Sequence, residues 1–375
     1  MKEKERLYSL DCLRGLDMFL LTVITPVVCA ADRSWGLPPG VMKHFQHIWN
    51  VFSLHDVIMP CFIFMCGAAI PFAMGGRLRD GRPTAEFWRH LVSRFLLLYF
   101  LGSVVQCNLL SFDPMEIHVF YNTLQVIGVA YVFTSLMMFV PSRSVRIATI
   151  PVLLAVMGVV THLAGHGDYT ETGNFVYRFD RIVWGLFLPE GQHSLKPNGY
   201  YCYLLPQLAA FALTQLGYEC TLVLRSGRNA WRKTGILGVV GLILLCAGWT
   251  VSVWVPVIKH IYSASFSLLV AGWSVVALAV LYVVTDIWKF RRGLRTIIVF
   301  GQHSLAAYLL WNLFGHGFVK AAERLTVGVP HLFGEKALPF AGGLVAAAML
   351  VAVMYVWDGF RRHRREMKEM EGGQA

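Results

Sequence analysis

The chain has 375 residues, of which 56% are hydrophobic and 15% are charged, and its formal net charge at pH 7 is +11. Soluble domains have about a quarter of their residues charged, so this composition excludes an ordinary soluble protein. The basic residues stand in short groups between apolar blocks. They form no broad basic face that follows phosphates, which excludes nucleic acid as the partner.

The apolar blocks predict an all-α fold, a polytopic helical bundle in the lipid bilayer. Each block is close to the about 20 residues that a spanning helix needs. We predict about ten transmembrane helices in a single integral-membrane domain, 1–375, and place them at about 12–32, 55–76, 90–111, 118–140, 145–163, 201–223, 234–255, 264–288, 294–318 and 337–359.

The distribution of basic residues predicts that both termini are cytoplasmic. With the N-terminus inside, 24 of the 33 Lys and Arg residues fall on one side of the ten helices, as the positive-inside rule requires. Segments 1–11 and 360–375 are then cytoplasmic tails, and 164–200 is the longest extracytoplasmic loop. Charges at the start of the first block argue against a cleaved signal peptide, so we expect a retained first helix.

Those charges are Asp11, Arg14 and Asp17, which share part of one face of the first predicted helix. A charged side chain at the centre of a membrane costs about 2.5–3.5 kcal/mol on insertion scales, so these groups should be paired or exposed to water. One interpretation is that Arg14 meets an anionic cofactor together with nearby basic loops. The other, which the residues alone favour, is an ion-paired helix start.

A second polar cluster lies where the first predicted helix has ended and the next begins. His44, His47 and His55 fall within twelve residues, and Asp56 follows them. Histidine titrates near working pH, so it suits a general base, and it also accepts acyl groups covalently. Asp56 would orient an imidazole. The alternative is that these histidines, with Trp49, only anchor the ends of the helices.

Other polar residues are candidates for lining a site. Gln125 and His303 stand in or next to apolar blocks, and we expect them to face the interior of the bundle. The loop 164–200 contains Asp180 and Arg181 among aromatic residues, a composition suited to gripping a sugar. The eight cysteines lack paired metal-binding spacing, so we expect inert thiols and no metal site.

Several segments together resemble the heparan-alpha-glucosaminide N-acetyltransferase family of membrane enzymes. The first fits a family pattern R-L-x-S-L-D-x-x-R-G, and the third fits D-x-x-x-P-x-F-x-F-x-x-G. The order of the segments is also that of the family, over nearly the whole chain. The segments are 6–15 (R-L-Y-S-L-D-C-L-R-G), 47–50 (H-I-W-N), 56–67 (D-V-I-M-P-C-F-I-F-M-C-G), 124–131 (L-Q-V-I-G-V-A-Y), 179–185 (F-D-R-I-V-W-G) and 256–266 (P-V-I-K-H-I-Y-S-A-S-F).

The resemblance implies an acetyltransferase of the bacterial inner membrane. It would take acetyl from cytoplasmic acetyl-CoA and deliver it to the amine of a glucosamine-type sugar, or of a polysaccharide, on the opposite side. The active histidine of the family maps best onto His47, with Asp56 as its orienting partner, and His44 is the competing assignment. The resemblance leaves open whether this histidine carries the acetyl group or acts as a base.

The remaining candidates divide between the two substrates. We assign acceptor binding to Trp49, Asn50, Asp180, Arg181 and His44. We assign acetyl-CoA binding to Asp11, Arg14, Gln125 and His303. A homodimer is one assembly that the sequence allows.

Three segments depart from the family pattern. They are 25–28 (T-P-V-V) in place of N-Y-G-G, 196–199 (K-P-N-G) in place of D-P-E-G, and 301–304 (G-Q-H-S) in place of G-x-N-S. These losses of polar groups motivate the alternatives, which are a transporter or non-catalytic scaffold on the same fold, or an O-acetyltransferase acting on an envelope polysaccharide.

Overall fold

A computed structural model describes residues 7–79, 82–107, 109–112, 118–186 and 204–372. The described part is helical apart from one short strand pair, which confirms the predicted all-α class. The helices are α1 Tyr8–Phe19, α2 Thr25–Trp35, α3 Pro39–Met42, α4 Leu54–Met74, α5 Ala85–Gln106, α6 Thr123–Met137, α7 Arg143–Ala164, α8 Phe175–Gly185, α9 Gln207–Leu224, α10 Ala230–Val251, α11 Ala264–Leu281, α12 Arg295–Gln302, α13 Ser304–Leu325, α14 Val329–Phe333 and α15 Leu338–Gly372.

Shorter elements join or extend these helices. A π-helical turn at Leu20–Ile24 links α1 to α2, and another at Tyr282–Ile287 extends α11. Single 3-10 turns lie at Gly75–Arg77, Leu109–Ser111 and Glu335–Ala337. The strands β1, Leu78–Arg79, and β2, Arg82–Pro83, pair antiparallel with Leu78 opposite Pro83 and Arg79 opposite Arg82.

Six helices of the described part are long and apolar enough to cross a membrane, which makes the chain a multi-pass membrane protein. A seventh is added if α12 and α13, which meet at an angle of 82°, count as one span. The six are Tyr8–Trp35, Leu54–Arg77, Arg143–Ala164, Ala230–Val251, Ala264–Ile287 and Glu335–Arg364.

The predicted number of about ten spans is therefore not confirmed. The 15-residue helix α6 is about 22 Å long at 1.5 Å per residue, which is less than the roughly 30 Å of bilayer hydrocarbon. The first ten residues of α5 include the charged Glu86, Arg89 and Arg94, and α9 carries Gln207, Gln215 and Glu219. The predicted span at 201–223 and the loop 164–200 lie partly outside the described residues, and segment 196–199 lies wholly outside them.

Contacts divide the chain into two compact units, Met1–Gln46 with Leu281–Ala375, and His47–Val280. In the first unit, α1 packs closely on α12. A methyl group added at Gly15 would lie 1.8 Å from the Ile297 carbonyl oxygen, and one at Gly301 would lie 1.8 Å from the carbonyl oxygen of Asp11. Because these two glycines have no side chains, the backbones of α1 and α12 approach each other closely. Small residues commonly allow such close packing between membrane helices.

The second unit is organised around α4 and α9, which run parallel. A Cβ atom added at Gly217 would lie 2.0 Å from the Phe64 carbonyl oxygen, and one turn later the Thr221 hydroxyl donates to the Ala68 carbonyl oxygen at 2.9 Å. An apolar cluster of Met157, Val176, Ile258 and Ile261, with Trp49 packed against it, lies elsewhere in this unit. That cluster joins the segment between α10 and α11 to the residues just before α4.

Candidate active site

The start of α4 fixes the carboxyl group of Asp56. The Ser53 hydroxyl accepts a hydrogen bond from the Asp56 backbone N–H at 3.1 Å, and Asp56 Oδ2 accepts one from the Ser53 backbone N–H at 3.1 Å. This reciprocal capping box satisfies two of the N–H groups that a helix start leaves unpaired. Because one carboxylate oxygen is used in the cap and Asp56 is 2% exposed, the other oxygen has a fixed position.

That second oxygen, Oδ1, lies 2.7 Å from Nδ1 of His47. A carboxylate only accepts hydrogen bonds, so the Nδ1–H group donates, and the Nε2 atom of this tautomer bears the lone pair. The His47 side chain is 33% exposed, so a reactant can approach the imidazole. This arrangement of a base and its orienting carboxylate is the one that general base and nucleophilic catalysis require.

Lys259 is the third member of the cluster, and sequence reasoning did not assign it a role. Its Nζ atom lies 3.3 Å from Asp56 Oδ1, and the side chain is 7% exposed. Burial lowers the pKa of Lys259 from 10.5 to about 8, although the negative charge of Asp56 acts in the opposite direction. The lysine is therefore charged at neutral pH. The signal for Lys259 in the sequence is its position in segment 256–266, which resembles a family motif. That motif alone gives the lysine no chemical role.

Sequence reasoning also assigned no role to His260, which packs against Trp49 and His47. Its ring stacks on Trp49, with centroids 5.0 Å apart and an interplanar angle of 28°, and it meets His47 edge-on at 6.5 Å. Burial, and after it the positive charge of Lys259, lowers the pKa of His260 from 6.5 to about 4. His260 is therefore neutral at pH 7, and it adds no charge to the site.

Two further contacts hold the cluster in place. The Trp49 indole N–H donates to the backbone oxygen of Tyr169 at 2.9 Å, which ties the loop before α4 to the loop after α7. The rings of His47 and His55 lie 4.7 Å apart. The predicted group of histidines therefore includes His47 and His55 side by side, with Trp49 anchored beside them.

The other acceptor candidates lie in separate environments. Asn50 is exposed. Asp180 is fully buried and its Oδ2 accepts from the Leu204 backbone N–H at 3.3 Å, while the Arg181 guanidinium lies 5.9 Å from the Tyr177 ring. His44 is exposed and belongs to the unit that contains Met1–Gln46. Their roles towards an acceptor stay predictions.

The candidates for acetyl-CoA are divided between the two units. Asp11 and Arg14 lie 3.9 Å apart on α1, as the ion-paired interpretation expects, and His303 lies 3.2 Å from Asp358 at the bend between α12 and α13. In the second unit, the buried Gln125 caps α6, accepting from the Tyr121 and Asn122 N–H groups at 2.8 and 3.1 Å. Their roles towards acetyl-CoA also stay predictions.

No group of three or more His, Cys, Asp or Glu side chains in the described residues is arranged to hold a metal ion.

Comparisons with known proteins agree with the sequence resemblance. The family model described as "Heparan-alpha-glucosaminide N-acetyltransferase, catalytic" matches residues 6–213, which is more than half of the chain. The mouse protein "Heparan-alpha-glucosaminide N-acetyltransferase" is 22% identical over 418 residues, covering 94% of this chain and 59% of the mouse protein. The chain thus spans less than two thirds of that relative. It belongs to the heparan-alpha-glucosaminide N-acetyltransferase catalytic family.

Proposed function

We propose that this membrane protein transfers the acetyl group of acetyl-CoA to the amine of a glucosamine-type sugar, with His47 as base or acetyl carrier. The observation that carries the proposal is the 2.7 Å contact between His47 Nδ1 and the buried, capped Asp56. In this contact the carboxylate fixes the orientation of the partly exposed imidazole and so sets the direction of its Nε2 lone pair. Membership of an N-acetyltransferase family supports the reaction class.

With His47 as base, the reaction balances in one step. The amine nitrogen attacks the carbonyl carbon of the thioester, a C–N bond forms, and the C–S bond breaks. Nε2 of His47 takes one proton from the amine and passes it to the departing thiolate. The products are the N-acetyl sugar and free CoA thiol. Asp56 stabilises the imidazolium that exists between these two proton transfers.

With His47 as carrier, the same atoms move in two steps. Nε2 attacks the thioester first and releases the CoA thiolate, and Asp56 holds the acetylated ring by its Nδ1–H group. The amine then takes the acetyl group and gives up one proton, which the thiolate accepts. Splitting one acyl transfer into two in this way is the general advantage of covalent catalysis.

The remaining features of the proposal concern access from the two sides of the membrane. We propose that the protein lies in a bacterial inner membrane with both termini in the cytoplasm. Acetyl-CoA would then enter on the cytoplasmic side, where Arg14 and neighbouring basic residues would meet its phosphates, and the sugar would reach His47 from outside. The alternation of basic segments supports this orientation.

The test uses the full chain reconstituted in vesicles with isotopically labelled acetyl-CoA. Glucosamine, N-acetylglucosamine and no acceptor are compared, and products are identified by mass spectrometry. Labelled N-acetylglucosamine formed from glucosamine supports the proposal. Label appearing only on hydroxyl groups of N-acetylglucosamine would support the O-acetyltransferase instead. No transfer to either sugar would contradict acetyl transfer to hexosamines and favour a transporter or scaffold.

The same preparation separates the two roles of His47. Without acceptor, a carrier releases about one CoA thiol per protein molecule in a burst and leaves labelled acetyl on the peptide that contains His47. A base releases CoA thiol only when the acceptor amine is present.

A further inference from the structure

We propose that Lys259 is a modification site of this protein, an internal acetyl acceptor that takes the acetyl group from His47 when no sugar is present. The inference rests on the carrier form of the proposed function, in which Nε2 of His47 bears the acetyl group. It gives a role to a buried nucleophile that the mechanism above does not use. This lysine lies outside the segment 6–213 matched by the family model.

The first argument is the position of the lysine relative to the imidazole ring. The Nζ atom of Lys259 lies 3.1 Å from Nδ1 and 3.3 Å from Nε2 of His47. An atom in the ring plane at nearly equal distances from both nitrogens would overlap a ring carbon. The Nζ atom therefore lies over the face of the imidazole.

The face of the ring is the side from which an acetyl group on Nε2 is attacked. The acetyl group of an N-acetylimidazole is conjugated with the ring, so it lies in the ring plane. A nucleophile adds to a carbonyl carbon from above that plane, starting from a separation of about 3–3.5 Å. Because the carbonyl carbon is bonded to Nε2, a small rotation of the flexible Lys259 side chain brings Nζ to that separation.

The second argument is burial. The side chain of Lys259 is 7% exposed, whereas that of His47 is 33% exposed. An acetyl donor in solution therefore meets the imidazole more readily than the amine. Lys336, by contrast, is exposed and meets the donor directly. Acetylation of Lys259 that depends on His47 is then distinguishable from the random acetylation of surface lysines.

The attacking form of the lysine is its unprotonated amine. Burial lowers the pKa of Lys259 from 10.5 to about 8, although the negative charge of Asp56 acts in the opposite direction. At pH 8 about half of the amine is therefore unprotonated, whereas a lysine with the ordinary pKa of about 10.4 is almost wholly protonated.

The transfer balances in two steps. Nε2 of His47 attacks the carbonyl carbon of the donor, a C–N bond forms, and the bond to the leaving group breaks. The amine of Lys259 then attacks the same carbon, the C–Nε2 bond breaks, and the proton lost by the amine moves to Nε2. The product is an amide without the positive charge of the lysine, so Asp56 loses the cation that lies 3.3 Å from its Oδ1 atom.

The experiment exposes the full chain in detergent at pH 8, without sugar, to isotopically labelled para-nitrophenyl acetate. This activated ester acetylates imidazoles and needs no binding site for CoA. Peptides with Lys259 and with Lys336 are quantified by mass spectrometry in wild type and in His47→Gln, which keeps a polar side chain. We expect the initial rate of labelling at Lys259 to be at least about 100-fold lower in His47→Gln, and the rate at Lys336 to be equal in both proteins.

An absence of label on Lys259 in wild type would overturn the inference, as would an equal rate at Lys259 in folded His47→Gln. A second comparison needs only wild type, so it does not depend on how the variant folds. The ratio of label on Lys259 to label on Lys336 is measured in the folded and in the denatured chain. Passage through His47 makes this ratio higher in the folded chain, whereas a lower ratio there refutes the transfer.

A parallel reaction with labelled acetyl-CoA and glucosamine separates this inference from the proposed function. If para-nitrophenyl acetate labels Lys259 through His47 but acetyl-CoA acetylates neither glucosamine nor the protein, the proposed function fails and the role of Lys259 stands. If acetyl-CoA acetylates glucosamine but neither donor labels Lys259, the proposed function stands and the inference fails.

Discussion

Replacing Asp56 with asparagine tests how much the carboxylate contributes to acetyl transfer. The side-chain shape is kept, but the 2.7 Å contact with His47 loses its negative charge. A hydrogen bond to a charged group contributes about 1.5–3 kcal/mol, and about 1.4 kcal/mol corresponds to a factor of ten in rate. If this stabilisation is made with the imidazolium of the transition state, the rate constant should fall about 10- to 150-fold.

The assay is the initial rate of labelled acetyl transfer from acetyl-CoA to glucosamine at saturating concentrations of both. Glu335→Gln is the matched control. Glu335 is an exposed carboxylate that we assign to neither substrate, so its replacement should leave the rate unchanged. Thermal unfolding of both variants shows whether the fold is retained. A folded Asp56→Asn protein with the wild-type rate would refute the role that we give to this carboxylate.

Three further predictions follow from burial, packing and hydrogen bonding. Burial lowers the pKa of His260 from 6.5 to about 4, so between these pH values the unfolded chain binds a proton at His260 that the folded protein does not. The free energy of unfolding should therefore fall as pH drops from about 6.5 to 4. His260→Phe should make the melting temperature depend less on pH in this range, and an unchanged dependence would contradict the prediction. Gly217→Ala places a methyl group 2.0 Å from the Phe64 carbonyl oxygen and should destabilise the protein by about 1–3 kcal/mol, whereas Gly238→Ala, with no atom within 4 Å, should not lower the melting temperature. Trp49→Phe loses the hydrogen bond to the Tyr169 carbonyl oxygen, so the KM for the sugar should rise more than the KM for acetyl-CoA; equal changes in both would contradict an acceptor role.

The sequence predicts the all-α class, but it does not settle the number of membrane spans, and it places the ends of helices poorly. The block predicted at about 118–140 becomes the shorter helix α6, because the side chains of Asn122 and Gln125 form a capping box that starts the helix at Thr123. The bend at His303 was not predicted either. No proline marks it, and the chain places His303 beside Asp358, 55 residues further on, a distance along the chain that local patterns do not report.

The same limit applies to the candidate site. The pairing of His47 with Asp56 follows from local sequence, since the two residues are close in the chain and Ser53 with Asp56 forms a recognisable helix start. Lys259 lies 212 residues from His47, in a short segment between two apolar helices. Only the packing of that segment on Trp49 and its neighbours brings the lysine to the imidazole, and this tertiary contact has no counterpart in the local pattern.

The most direct test of the central claim is the rate of labelled acetyl transfer to glucosamine by the His47→Ala variant. His44→Ala tests the competing histidine, and His316→Ala, at an exposed position, is the matched control. Removal of a general base or nucleophile should lower the rate by about 100- to 10,000-fold, so we expect that loss in His47→Ala, a smaller loss in His44→Ala, which we assign to acceptor binding, and the wild-type rate in His316→Ala. A folded His47→Ala protein that transfers acetyl at the wild-type rate would contradict the account.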